Sequence, residues 1–263
     1  MTTSTKYSAS SLTHAAHDSM TMLTRNLRHT LRSPDAMITT IAVPISILLL
    51  FVYVFGGAIH TGGAYIDYVV PGIIVMCAGF GSATTAVRLS TDMHNGIIDR
   101  FRVMAVARSA VLAGHVAESV LRNLITVGTV ILLAVALGFR PTTEPVRWLA
   151  TVGVIAGFTL AMSWLAAAFG LLAPTPEAAN GATVVFIFLP QVSSAFVPTT
   201  SMPGWLRGFA AYQPFTPITE TVRGLLTGTP IAANAFQAIG WCVGIALCGY
   251  PAARILLHNR TTD

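Results

Sequence analysis

Charged residues are missing from long blocks of this chain. Residues 36–66, 68–87, 123–139, 148–176, 178–206 and 224–253 contain no Asp, Glu, Lys or Arg. Each block can supply the roughly 17–25 consecutive residues that cross a bilayer core as a helix. The pattern predicts an all-α integral membrane protein with six transmembrane helices, at about 36–58, 65–87, 119–139, 148–172, 181–197 and 234–256. The first run is too long for the ~7–15-residue core of a secretory signal, so it is read as a retained helix. Pro44 inside it is expected to produce a kink. Gly153 with Gly157, and Gly240 with Gly244, have the GxxxG spacing that lets helices approach closely.

The segments between the blocks carry their own patterns. Residues 1–11 form a polar tail, read as disordered, and 259–263 a short second tail; both flank a membrane domain at 12–258. Ala16, Met20, Leu23, Leu27 and Leu31 recur at steps of three and four, while Arg25, Arg28, His29 and Arg32 fall largely off that stripe. This predicts an N-terminal amphipathic helix lying in the membrane interface. In the island 88–118, Ile97, Ile98, Phe101, Met104 and Ala105 share one helical face, and Asp99, Arg100 and Arg102 point elsewhere. Such a helix suits a lipid surface or a protein partner equally well. Residues 198–228 are too proline-broken to span, yet too rich in Trp205, Leu206, Phe209, Tyr212, Phe215, Leu225 and Leu226 for a free loop. They are read as outer segments that re-enter the membrane edge between spans five and six, with Glu220 and Arg223 at helical i,i+3 spacing.

Composition sharpens this picture. Only 10% of residues are charged and 54% are hydrophobic, against about 25% charged in a soluble domain. The net charge of +5 follows the excess of Lys and Arg on the cytoplasmic side and needs no nucleic acid to explain it. With the N-terminus inside, Lys6, Arg25, Arg28, Arg32, Arg88, Arg100, Arg102, Arg108, Arg122, Arg254 and Arg260 fall in or near the cytoplasm. Only Arg140, Arg147, Arg207 and Arg223 fall outside, so both termini of this multi-pass chain are placed in the cytoplasm of a bacterial cell.

Several function classes are excluded or disfavoured. The only lysine is Lys6, so no GxxxxGK[ST] phosphate loop exists and the chain has no ATP site of its own. The span cores hold no carboxylate or histidine, and Asp67 and Glu118 are read at helix edges, which disfavours ion-coupled transport. Ser82 has no histidine within a span to serve as a base, so no catalytic residue is assigned. His14 and His17 lack a third ligand, and Cys77, Cys242 and Cys248 sit in apolar runs, so no metal site is assigned either.

The residues 95–108 (Asn-Gly-Ile-Ile-Asp-Arg-Phe-Arg-Val-Met-Ala-Val-Ala-Arg) resemble the cytoplasmic segment of ABC-2 type permeases. The outer stretch 196–206, with Met202-Pro203-Gly204-Trp205-Leu206, resembles the segment after their fifth span. Residues 213–217 and 221–228 continue the likeness, which is nearest to the daunorubicin/doxorubicin-resistance branch and covers nearly the whole chain. One difference is Ala105, where many relatives carry proline.

The resemblance implies a permease subunit of an ATP-binding cassette exporter, itself no enzyme, that moves apolar or amphipathic substrates such as drugs, antibiotics or lipids across the cytoplasmic membrane. Its partners would be a separate ATP-binding subunit, which carries ATP and Mg, a second permease chain (identical or related), and membrane lipid; no cofactor is implied in this chain. The segment between spans two and three becomes a coupling helix. Gly96, Ile97, Asp99, Arg100, Phe101, Arg102 and Arg108 are then its contact residues, with Glu118 as support. Met76, Phe80, Phe186, Phe188 and Gln191 are assigned to the substrate pathway, and Pro198, Pro203, Trp205, Pro214, Glu220 and Arg223 to an outer gate. An ion-coupled secondary transporter, or a channel or scaffold without an ATPase, is the competing reading.

Overall fold

The computed structural model describes residues 34–59, 63–95 and 108–260. The expected N-terminal amphipathic helix lies outside the described residues, as do residues 96–107, which hold most of the expected coupling helix. The elements are α1 (Pro34–Leu49), continued by a π-helical turn at Leu50–Phe55, then α2 (Tyr65–His94), α3 (Arg108–Ala136), α4 (Pro145–Leu172), α5 (Pro176–Ala182) and α6 (Val184–Gln191). A 3₁₀ turn at Thr199–Ser201 leads into α7 (Gly204–Tyr212), α8 (Phe215–Thr227) and α9 (Ala232–Arg260). Every regular element among the described residues is helical.

Among the described residues, four helices are long and apolar enough to cross a membrane: Tyr65–His94, Leu112–Ala136, Pro145–Leu172 and Ala232–Asn259. A shorter apolar stretch, Ile41–Phe55, contains Pro44. The region expected as a fifth continuous span is divided at Thr183 into α5 and α6. At ~1.5 Å per residue the eight residues of α6 reach only about 12 Å, well short of a ~30 Å hydrocarbon core.

Local chemistry explains the helix ends. Pro145 follows Glu144 and opens α4, where a missing N–H costs nothing. Thr175 caps α5, its hydroxyl accepting from the Ala178 N–H at 3.2 Å, with Pro176 next. Gly228 closes α8 with φ +81°, a conformation that suits glycine, and the Thr229 N–H then reaches the Gly224 carbonyl at 3.0 Å.

Helix α2 is the central post. Its apolar window is 89% buried against 11% for α9, and it touches α1, α3, α4, α5, α6 and α8. Helix α9 packs mainly on α4 and shows its other faces outward. The outer stretch contributes to the core through α8, whose Phe215 meets Phe158 edge-to-face at 5.2 Å. Phe215, Leu225 and Leu226 are buried inside the chain. Trp205 (82% exposed), Phe209 and Tyr212 on α7 face outward, as aromatic rings at a membrane–water boundary do.

The glycines that bring helices together are not those of the GxxxG pairs. Gly153, Gly157, Gly240 and Gly244 have open space where a Cβ would stand, because those faces of α4 and α9 turn away from the rest of the chain. Close approaches between helices include those at Gly79, Gly81, Gly170 and Gly249, and Gly72 of α2 meets the Ala195 backbone after α6. At Gly170 of α4 a Cβ would lie 2.4 Å from the Ala86 carbonyl oxygen of α2, a helical backbone that cannot move aside. Gly170→Ala is expected to lower stability by about 1–3 kcal/mol through overpacking. Gly128→Ala, with nothing within 4 Å, should be neutral or slightly stabilising. Thermal unfolding of both variants in one detergent checks the contrast.

Candidate functional site

A polar stripe runs along α3. His115, Glu118, Ser119, Arg122, Asn123 and Thr126 recur at steps of three and four, and all are buried. They face α2 and α4 rather than lipid. Glu118, 1% exposed, accepts from Arg122 one turn later at 2.6 Å and from Arg88 of α2 at 3.2 Å. Arg122, 6% exposed, also donates to the Gly81 carbonyl at 3.0 Å and the Thr84 hydroxyl at 2.7 Å. Ser163 of α4 completes the contact, with its hydroxyl 2.9 Å from that of Ser119 and 3.3 Å from that of Ser82.

Glycine makes this geometry possible. A Cβ at Gly81 would stand 1.9 Å from the Asn123 side-chain oxygen, so α2 and α3 approach closely there and Arg122 reaches the α2 backbone. Closer to the ends that flank residues 96–107, His115 Nε2 lies 3.2 Å from Asp92 Oδ2. The pairs Arg88–Glu118 and Asp92–His115 join the same two antiparallel helices at successive turns. Buried charge in a membrane helix is expensive unless paired and hydrogen-bonded. The Glu118 carboxylate with Arg122 and Arg88 satisfies that condition and fastens α2 to α3 next to the segment between them, while His115 Nε2 is buried near Asp92 without a hydrogen bond.

Helix α3 begins at Arg108, so Glu118 lies well inside it rather than at a helix edge as the charge pattern suggests. Arg122, assigned from the sequence to the cytoplasmic side, is a buried partner of that carboxylate. Gly96, Ile97, Asp99, Arg100, Phe101 and Arg102 lie outside the described residues, and the Arg108 side chain does too.

A second cluster sits at the opposite end of α2. Arg223 of α8 donates to the Tyr68 carbonyl at 3.0 and 3.1 Å and to the Ser194 carbonyl at 2.8 Å, and pairs with Glu220. Its guanidinium lies 3.8 Å from the centroid of the Tyr68 ring. The Tyr68 hydroxyl donates to the Ser194 carbonyl and the Tyr65 hydroxyl to the Phe196 carbonyl, each at 2.9 Å. Phe196 stacks on Phe51 at 4.3 Å. The start of α2, the turn after α6 and helix α8 are thereby locked together. Pro198 precedes the 3₁₀ turn, and Pro203 and Pro214 precede α7 and α8. The Glu220–Arg223 spacing was legible in the sequence; the partnership with Tyr68, 155 residues away, was not.

The five residues assigned to a pathway do not gather on one surface of the single chain. Met76 and Phe186 are buried in the core, and Phe80 is partly buried. Phe188 and Gln191 are exposed on α6.

The profile of the ABC-2 type transporter family matches residues 18–227. The daunorubicin resistance ABC transporter permease protein DrrB1 of Streptomyces coeruleorubidus is 31% identical over 217 residues, covering 82% of this chain and 74% of that protein. The probable doxorubicin resistance ABC transporter permease protein DrrC of Mycobacterium tuberculosis H37Rv is 26% identical over 222 residues, covering 82% and 80% respectively.

Proposed function

The chain belongs to the ABC-2 type transporter family and is a permease subunit without an ATP site of its own, and we propose that it exports apolar or amphipathic molecules when driven by a separate ATP-binding subunit. The observation that carries the proposal is the buried ladder that fastens α2 to α3 on either side of residues 96–107. A push on that segment is passed to both helices at once, and α2 touches most of the other described helices. The ATP-binding subunit, which holds ATP and Mg, docks on Gly96, Ile97, Asp99, Arg100, Phe101, Arg102 and Arg108, burying the apolar face and pairing charges at its rim. Glu118 and Arg122 make the receiving end rigid.

In this reading the chain crosses the cytoplasmic membrane six times with both termini inside, α1 with its π turn and the α5–α6 pair supplying the two shorter crossings. Two permease chains enclose the pathway. Phe188 and Gln191, exposed on α6, line it, with Met76, Phe80 and Phe186 behind them. Helices α7 and α8, with Pro198, Pro203, Trp205, Pro214, Glu220 and Arg223, form the outer gate. Binding of ATP favours one of two states because the ATP-binding subunit has different affinity for each. Drugs, antibiotics or lipids suit an uncharged aromatic wall, and the names of the relatives, daunorubicin and doxorubicin resistance permeases, support the first two.

Affinity purification in mild detergent is expected to recover a stoichiometric ATP-binding subunit. Phe101→Arg should leave the permease in the membrane but remove that subunit or uncouple its hydrolysis from export. Unchanged partner binding together with unchanged export in Phe101→Arg would falsify the docking assignment. Transport that follows an ion gradient in vesicles with no ATPase present would instead establish the secondary transporter.

A further inference from the structure

An apolar groove of about 470 Å³ runs between α4 and α9, walled by Leu160 and Trp164 on one side and Val243, Leu247, Tyr250 and Pro251 on the other. Its volume falls within the ~300–1,000 Å³ of ligand pockets. It is a fixed feature: a Cβ at Gly249 would stand 2.7 Å from the Leu165 nitrogen, so α9 lies close on α4 there, and the Trp164 and Tyr250 rings meet edge-to-face at 4.9 Å. Leu247 is 70% exposed, and Leu160, Val243 and Tyr250 are exposed as well, so the groove opens on the outer side of the bundle.

The groove itself is lined by apolar residues, and the charge lies beyond it along α9. Arg254 stands three and seven residues after Pro251 and Leu247, on the same face of α9, and is exposed. His258 follows one turn later on that face, near the end of the helix. An apolar channel with a cationic side chain one turn beyond it on the same helix face has the chemistry of a phospholipid site. Basic pockets between membrane helices on the cytoplasmic side hold anionic headgroups in this way. We propose that the α4–α9 groove binds an anionic phospholipid of the cytoplasmic leaflet, with one acyl chain along Trp164, Leu247 and Tyr250 and its phosphate on Arg254. The leaflet rests on the orientation given above, with the C-terminus inside. Cargo is a poorer occupant, since a charged end outside the apolar channel selects a headgroup rather than a buried polar centre.

Native mass spectrometry of the full chain, released from bilayer discs of equal phosphatidylglycerol and phosphatidylcholine, tests this. The wild type is expected to retain phosphatidylglycerol in preference. Arg254→Gln should cut that retention at least fivefold, and Leu247→Trp, a substitution at an exposed position, should abolish it with the thermal midpoint unchanged. Equal retention of the two lipids, or a preference that survives Arg254→Gln, overturns the proposal. So does a dimer that dissociates in Leu247→Trp while the lipid stays, which would assign the groove to a second copy of the chain. No ATP-binding subunit enters the measurement, so its outcome is separate from that of the transporter reading.

Discussion

Glu118→Ala is expected to destabilise the chain by about 3–5 kcal/mol, the loss seen when one member of a buried ion pair is removed. The carboxylate accepts from Arg122 and Arg88. Of the two, Arg88 is about a third exposed and can turn its head toward water. Arg122 cannot: it is 6% exposed and held by the Gly81 carbonyl and Thr84. Its uncompensated charge carries most of the expected loss. The double variant Glu118→Gln with Arg122→Met should therefore be more stable than Glu118→Ala alone, because it removes the charge along with its partner. Export should still fail in the double variant, since the charged link between α2 and α3 at Glu118 and Arg122 is gone even though their packing at Gly81 remains. Thermal unfolding in detergent and export from vesicles measure the two effects. If Glu118→Ala and the double variant melt together, the buried charge is not what the network neutralises.

The same network shows what the sequence made legible and what it did not. Long uncharged blocks located α2, α4 and α9, because lipid excludes unpaired charge over the length of a helix. That logic fails where charges are paired. Taking Glu118 as a boundary placed the start of the third helix after it, while the structure begins α3 at Arg108. The missing signal was present in the chain. His115, Glu118, Ser119, Arg122, Asn123 and Thr126 form a polar stripe of helical period, and such a stripe implies a facing partner rather than a helix end.

Glycine spacing failed for a different reason. Gly153 and Gly157 have the motif, but the motif says nothing of which face turns inward. Gly170 and Gly81, outside any motif, are the ones pressed against a neighbour. In the outer stretch, read from the sequence as segments re-entering the membrane edge, the Glu220–Arg223 spacing fits helix α8, where Phe215, Leu225 and Leu226 are buried, whereas Trp205, Phe209 and Tyr212 on α7 face outward. The partner of Arg223 could not be read locally, because it is a main-chain carbonyl of α2 brought there by tertiary structure. The likeness of residues 95–108 to the family was read from their identities alone, and most of them lie outside the described residues.

Arg223→Lys is expected to open the outer end of the molecule while leaving its charge intact. The guanidinium holds the Tyr68 and Ser194 carbonyls, the Glu220 carboxylate and the Tyr68 ring together, and its planar fork lets one side chain meet partners in several directions. An ammonium presents one compact charge and loses at least one of the carbonyl contacts, at about 1.5–3 kcal/mol for a hydrogen bond to a charged group. A loss of ~2 kcal/mol raises the population of the released outer segment roughly thirtyfold. Ser194 is a suitable reporter, since it is buried and its hydroxyl has no hydrogen-bond partner, so a thiol replaces it with little disturbance. In a background lacking Cys77, Cys242 and Cys248, Ser194→Cys should resist a membrane-impermeant maleimide added from outside. Adding Arg223→Lys should speed labelling by about that thirtyfold factor, while Arg147→Lys, at a more exposed ion pair, should not. Equal labelling rates with and without Arg223→Lys would mean that the closed outer end is held by the packing of Phe51, Phe196 and Phe215 instead, and the gate would have to be sought in those rings.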